Sequence, residues 1–436
     1  MLLLTVKALQ YCDFDLAYRC IHIALNEERD TMSTDYSTNP IVVLGAGPAG
    51  MATALSLHTA GHRVVIFERY PEARPAGNIL NLWPPPIKAL GLMGVDVTDL
   101  GSPCHSTFRN MAGHVRAEIV IDPAIVEEFG GGFIGMLRPD LYRRMLAAIP
   151  DGMLKTGQEV VGIEDRGDHV ELTMADGEVV NTPVLIGADG IDSTVRKHLW
   201  GDTPKREHNL HIIGGFAFDL PDGAELGECV VAHNRTTQGS YTSIRSDGRD
   251  GFQWWVLEAY DHDAPAPTDL HAHAVKLAAE FEGPLPKLIA ATPTASVQRW
   301  VIRDRQPLKA WSKGRITIAG DAAHATSPYA AYGAGMSICD GYFIAQNLAG
   351  VDLADSSAVR AALVRYETPR IPHTTSQVQS AYFLGKVFHH APRPIQPLRD
   401  FVFDHTRFLQ KQIGEKNPAE ISAQLDEMGA GILEPA

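Results

Sequence analysis

The run Gly45-Ala46-Gly47-Pro48-Ala49-Gly50 spells G-x-G-x-x-G, and the chemistry such a run supports is the holding of a pyrophosphate. Gly45 permits a sharp turn, Gly47 lets the backbone approach phosphate oxygens, and Gly50 lets a helix close against a strand. The helix that follows offers unpaired N–H groups and the positive end of its dipole to the anion. Three small residues also serve a plain tight turn, so the flanks decide between the readings. Ile41 to Leu44 reads as a strand, Met51 to Ala60 as a helix and Val64 to Phe67 as a second strand. Glu68 ends that second strand about 20 residues past the glycines, where a carboxylate accepts hydrogen bonds from an adenosine ribose. A second run, Gly130 to Gly135, fits the same pattern but leads into strand-like Phe133 to Leu137. It reads as a glycine loop, which leaves one dinucleotide fold and disfavours a reductase built on two.

Holding that turn requires a parallel sheet of βαβ units. Alternating strands fill residues 158 to 186, broken by an Ala175-Asp176-Gly177-Glu178 turn. Residues 211 to 260 read as β-rich and aromatic, with Phe216, Phe218, Tyr241, Phe252, Trp254 and Trp255, and the chain from Met336 onward reads as helical. Val6 to Glu28 has helix-like apolar spacing and reads either as an appended helix or as a disordered leader ahead of Met32; periodicity does not choose between them. With 436 residues, 45% of them hydrophobic, the chain can bury the core of one large or two joined domains. The balance 38 − 52 = −14 opposes nucleic acid or an anionic membrane as partner. The five cysteines, Cys12, Cys20, Cys104, Cys229 and Cys339, are scattered without a Cys-x-x-Cys pair, which points to reduced thiols, a cytoplasmic setting and no metal site. No apolar run reaches the ~18 residues of a membrane span, and Met1 to Leu4 is too short for a secretory core.

Three further stretches extend the fingerprint: Glu68-Arg69, then Gly187-Ala188-Asp189-Gly190 continuing to Arg196, then Arg315 to Ala319 with Gly320-Asp321-Ala322-Ala323-His324. Together they resemble the single-component FAD-dependent monooxygenases, a family that includes salicylate hydroxylase, para-hydroxybenzoate hydroxylase and the tetracycline-modifying enzymes. The resemblance runs from about residue 40 to about residue 390. It implies an α/β fold in which a Rossmann-like FAD-binding domain, residues 39–96, 127–212 and 301–376, interleaves with a β-sheet substrate domain, residues 97–126 and 213–300. C-terminal helices at 377–436 follow, and a leader at 1–38 precedes. FAD is the implied cofactor, with NADPH or NADH as co-substrate.

The resemblance also assigns roles. Asp321 meets the ribityl chain and pyrophosphate, and Asp189 supports both the pyrophosphate and the nicotinamide groove. Arg138 and Arg196 match basic contacts, with Arg138 toward the phosphates or flavin edge. Val160 lies on the adenine-binding strand. Pro328 to Gly335, including Gly333 and Ala334, presents backbone N–H groups to the flavin pyrimidine ahead of a helix. Two departures stand out: Ala331 where salicylate hydroxylase-like relatives have glycine, and Trp83-Pro84-Pro85-Pro86 where relatives carry a Pro-Asn-Ala-like start.

In such enzymes the reduced flavin binds O₂ as a C4a-hydroperoxide and the distal oxygen passes to substrate, so the protein supplies shape, dryness and orientation. The implied substrate is a small aromatic, polycyclic or polyketide-like molecule. Tyr241 and Arg245 fall on a segment that resembles the strand lining the substrate pocket. His211 and His233 are further candidates to accept a phenolic proton, and no residue is singled out as catalytic. The same fold also serves epoxidation, Baeyer–Villiger oxidation, reduction and plain flavin binding. Halogenation is disfavoured because Trp254 and Trp255 are adjacent rather than in a Trp-x-Trp-x-Ile-Pro signature.

Overall fold

Ile41, Val42, Val43 and Leu44 are all buried, as a strand covered on both faces requires. They form the centre of a five-stranded sheet whose order is Ile316–Ile318, Leu185–Gly187, Ile41–Leu44, Val64–Glu68, Leu154–Thr156, with every adjacent pair parallel. The computed structural model describes residues 36–73, 79–261 and 263–429; the leader segment Val6 to Glu28 lies outside them. Leu44 is in register with Phe67 on one side and Gly187 on the other, and Gly187 with Ile318. The carboxyl ends of four strands therefore stand in one row. The crossover helix Pro48–Thr59 is buried from Ala49 to Leu57 because a second helix, Gly333–Leu348, lies against it. Gly341 makes that contact close: a Cβ there would fall 2.4 Å from the Thr53 nitrogen.

The strands expected between 158 and 186 form a separate antiparallel sheet of Val160–Asp165, Val170–Met174 and Val179–Thr182, together with Leu185–Gly187 of the parallel sheet. The glycine run at 130–135 follows the helix Pro123–Phe129, with Gly130 in a left-handed cap at φ 70°, and continues into the strand Phe133–Leu137. It is a helix stop and a loop.

A nine-stranded sheet forms the second layer. Its order is Gln298–Asp304, Arg206–Ala217, Arg249–Ala259, Thr237–Ser246, Glu228–His233, Ser102–Asn110, Phe133–Leu137 and Ile79–Leu82, with Val115–Ile119 paired to Ser102–Asn110. Arg206–Ala217 and Gln298–Asp304 run across the boundaries expected at 212/213 and 300/301, and Ile79–Leu82 and Phe133–Leu137 come from segments assigned to the other domain. Pairing between distant strands, which composition does not display, joins the two layers. One face of this sheet packs Ile213, Val230, Tyr241, Phe252 and Trp254 against the helices Leu270–Ala278 and Leu285–Ala291. The other carries Ile212 and Leu257 together with Tyr329. Long C-terminal helices, Ser356–His389, Gln396–His405 and Lys416–Gly429, close the molecule as the sequence suggested. Among the described residues no helix is long and apolar enough to cross a membrane.

Candidate active site

The three glycines of the fingerprint do different work. Gly45 has φ +99°, and a Cβ there would lie 2.5 Å from the Ala188 carbonyl oxygen; at Gly50 the Cβ would lie 1.8 Å from the Gly45 oxygen. Both are demanded by the fold itself. A Cβ at Gly47 would meet nothing within 4 Å, so this glycine borders open space at the N-terminus of Pro48–Thr59, where no side chain caps the helix. Its free N–H groups remain available to an anion. Glu68 closes the cradle: Oε2 accepts the Ala46 N–H at 2.8 Å and Oε1 accepts the Tyr70 N–H at 2.9 Å. Each carboxylate oxygen keeps a lone pair for a ribose hydroxyl. Gln158 N donates to the Glu68 carbonyl at 2.9 Å, which brings the segment leading to buried Val160 alongside. Arg69 sits at the rim, its guanidinium 3.1 Å from the Tyr70 hydroxyl.

Asp189 and Asp321 follow the two neighbouring strands. Asp189 Oδ2 accepts the Thr194 N–H at 2.6 Å and the Val195 N–H at 3.4 Å, while Oδ1 is buried without a partner. Burial raises its pKa above the ordinary value, against those hydrogen bonds. Asp321 is exposed at the start of Asp321–His324. Gly320, at φ +60°, approaches so closely that a Cβ would lie 2.5 Å from the Ala49 Cβ, and this contact sets Asp321 beside the glycine cradle. Arg196, expected as a basic cofactor contact, is committed elsewhere. It donates to the carbonyls of Ala322 and Ala323, each at 3.0 Å, and of Gln306 at 3.0 Å, and so holds the turn that carries Asp321. Burial lowers its pKa to about 10.

A buried network that motif reading missed fixes the same turn. Asp340 Oδ2 accepts the Gly320 N–H at 2.8 Å and meets His324 Nε2 at 2.5 Å, and Oδ1 accepts from Arg370 Nε at 3.0 Å. Burial alone would raise the Asp340 pKa, but His324 and Arg370 outweigh it and hold the carboxyl below its usual range. The loop after this turn runs through Pro328–Ala330 to Ala331, which adopts the left-handed region at φ 48°, ψ 19°, and then into Gly333–Leu348. No side chain caps that helix, so the N–H groups of Gly333, Ala334 and Gly335 lack helical partners. Trp83 stacks on Tyr332 at 4.5 Å and approaches Phe133 at 5.3 Å. Arg138 opens the helix Arg138–Ala148 directly after the Phe133–Leu137 strand.

A family model described as an FAD binding domain matches residues 38–381. The chain belongs to this family of FAD-binding monooxygenases. It is 30% identical over 366 residues to a 3-amino-4-hydroxybenzoate 2-monooxygenase of Streptomyces platensis, covering 83% of this chain and 91% of that one. It is 29% identical over 370 residues to a 3-hydroxybenzoate 6-hydroxylase of Klebsiella oxytoca, covering 80% and 89%. Among solved structures, Klebsiella pneumoniae HpxO complexed with FAD and uric acid superposes with a TM-score of 0.75 at 21% identity, over 92% of this chain and all of that one. A salicylate hydroxylase substrate complex gives 0.70 at 18% identity, over 89% and 97%. These two likenesses show the fold. The cradle fits FAD on its own geometry: open space at Gly47, spare acceptors on Glu68, an exposed Asp321 beside the helix N-terminus, and the orphaned Asp189 Oδ1.

In the flavoprotein's large sheet the expected substrate residues have protein partners. Tyr241 and Arg245 occupy alternate positions of Thr237–Ser246, so they share one face, the one covered by Leu270–Ala278 and Leu285–Ala291. The Tyr241 hydroxyl donates to Glu228 Oε2 at 3.1 Å, and Arg245 pairs with Asp250 at 2.8 Å and Asp99 at 2.9 Å. The face turned to Tyr329 carries their neighbours Ser240 and Thr242 instead. His211 lies with Tyr241, and its Nδ1 accepts from Arg299 at 2.7 Å. Because arginine only donates, His211 Nε2 carries the proton and gives it to Glu258 at 2.9 Å; His273 joins the same carboxylate. This trio lies within metal-ligand reach, yet that tautomer makes His211 a donor rather than a ligand. His233 faces the Tyr329 side, stacked on Phe388 at 3.8 Å.

Proposed function

We propose that this flavoprotein is an NAD(P)H-dependent hydroxylase that inserts one oxygen atom of O₂ into a small aromatic or polycyclic substrate, in the cytoplasm. The observation that carries the reading is the single row of strand ends bearing Gly45–Gly50, Glu68, Asp189 and Asp321, with the Pro328–Gly335 loop set between that row and the large sheet. The relatives' names, all monooxygenases or hydroxylases of ring compounds, support it. FAD, once reduced, supplies the activation of O₂. The chain's own residues bind and orient. Glu68 and the strand at Val160 take the adenosine end, Gly47 and the helix behind it take the pyrophosphate with Asp189 in support, and Asp321 takes the sugar-like chain. Arg69 and Arg138 add positive charge at the rim.

The uncapped N-terminus of Gly333–Leu348 would favour negative charge on a flavin ring held beside it. Tyr329 is held by its hydroxyl bond to His389. His389 Nδ1 donates to the Thr236 carbonyl at 2.9 Å, so Nε2 accepts and the tyrosine donates. Burial pushes the Tyr329 pKa up, which keeps that proton on the tyrosine. Turnover under ¹⁸O₂ with mass spectrometry of the product tests the reading: one labelled oxygen per product is expected, and a product without label overturns it.

A further inference from the structure

Residues paired across neighbouring strands project from the same face, so register identifies the side chains that share the Tyr329 side of the large sheet. Gln253 pairs with Thr242, Trp255 with Ser240 and Leu257 with Gln238. Thr242 in turn pairs with Cys229, Ser240 with Val231 and Gln238 with His233. Asn81 reaches this face as well, its amide 3.7 Å from the Cys229 sulfur. None of these positions holds a lysine, arginine, aspartate or glutamate. Burial keeps the His233 imidazole well below its ordinary pKa, so at neutral pH it too is uncharged.

Among the described residues, the arginines beside this wall are already committed, Arg116 to Asp404 at 2.7 Å among them. Arg206, beneath the Tyr382 ring at 3.7 Å, is bidentate to buried Asp304 at 2.7 and 2.6 Å. Arg370 is paired with Asp340, and Arg399 with Asp400 and with the carbonyls of Val387 and Phe388. Two polar atoms on this wall, His233 Nε2 and Gln238 Oε1, are buried without a hydrogen-bond partner. They belong to one cross-strand pair; Gln238 favours the protonated imidazole, but no well-formed hydrogen bond joins the two, and buried polar atoms in that state ask for a ligand or water.

We propose that the protein takes an uncharged substrate, a phenolic or lactam-like ring with neighbouring hydrogen-bond donor and acceptor groups, and selects against ring carboxylates. The inference rests on the functional reading above and takes the sheet face turned to Tyr329 as the one that meets the substrate. A carboxylate placed against it loses its water and gains no cation, whereas a neutral donor and acceptor pair satisfies His233 and Gln238. This departs from the hydroxybenzoates after which several relatives are named.

The test titrates the absorbance of the FAD-loaded protein at pH 7 with matched pairs: 3-hydroxybenzoate against 3-hydroxybenzamide, and 6-hydroxynicotinate against 6-hydroxynicotinamide. The amide of each pair is expected to bind at least ten times more tightly. Equal or tighter binding of the acids overturns the proposal. As a second arm, Thr242→Lys should move the acid-to-amide ratio at least tenfold toward the acids, and an unchanged ratio counts against the neutral wall. Failure of the functional reading would show earlier and differently, as a folded chain that takes up no FAD.

Discussion

Two glycines of one motif should fail in different ways when each gains a methyl group. At Gly47 the backbone is at φ −74° and the new Cβ meets nothing within 4 Å. Alanine there is compatible with the apo fold and stabilises it by about 0.4–1 kcal/mol through the unfolded chain. Its methyl group, however, enters the space a pyrophosphate needs. Loss of one charge-assisted N–H contact costs about 1.5–3 kcal/mol, or roughly ten- to a hundredfold in FAD affinity. At Gly50 the methyl group collides with the Gly45 carbonyl at 1.8 Å, so the turn must open and the fold itself loses about 1–3 kcal/mol or more.

Thermal unfolding with and without FAD separates the two outcomes. At FAD a hundredfold above the wild-type Kd, binding adds about 2.7 kcal/mol to the wild type, and about 0.4 kcal/mol to a Gly47→Ala protein bound a hundredfold more weakly. For 436 residues, 2.7 kcal/mol corresponds to about 3 °C in Tm. Gly47→Ala should therefore melt about 0.4–1 °C above the wild type without FAD and miss nearly all of the FAD-induced rise. Gly50→Ala should melt lower under both conditions. A Gly47→Ala protein with wild-type FAD affinity would refute the assignment of that open space to the cofactor.

The left-handed backbone of Ala331 costs about 1–2 kcal/mol, and glycine would lose about 0.4–1 kcal/mol of that relief to unfolded-state entropy; Ala331→Gly should gain about 0–1.6 kcal/mol in denaturant unfolding, and a loss of about 1 kcal/mol would contradict the loop conformation. Asp340→Asn leaves Arg370 buried without its counter-charge and should destabilise the fold by about 3–5 kcal/mol at pH 7. The Asp340 pKa is depressed in the folded state, so its contribution is present above the ordinary carboxylate pKa and is lost as pH falls through the lower, folded value. The wild-type Tm should accordingly fall more steeply than that of Asp340→Asn on acidification below about pH 4; parallel curves would show that the carboxylate is not charged in the core.

The cofactor half of this protein is written locally. Strand, glycine turn and helix follow one another within 20 or so residues, and each glycine, the Glu68 carboxylate and the Gly320-Asp321 pair carry their reason in their own neighbourhood. The alignment of those local pieces into one row came from the parallel register of Ile41–Leu44 with its neighbours, but the motifs already implied it. The network of Asp340, His324 and Arg370 was not visible, because a buried ion pair joins residues from two helices and a turn that share no spacing.

The wall proposed for the substrate was hidden for a sharper reason. In Thr237–Ser246 both faces are buried, so no alternation of apolar and polar residues reveals which side meets the flavin, and a displacement of one residue exchanges the faces. Thus Tyr241 looks suited to a ligand and packs toward helices, Arg245 pairs with Asp250 and Asp99, and Ser240 and Thr242 look plain and lie on the opposite face. The amino-acid order determined the nucleotide cradle, since a phosphate-binding turn is a short-range object. Only the packed sheet decided which side chains share a face, since that depends on the parity of pairing between strands far apart in the chain.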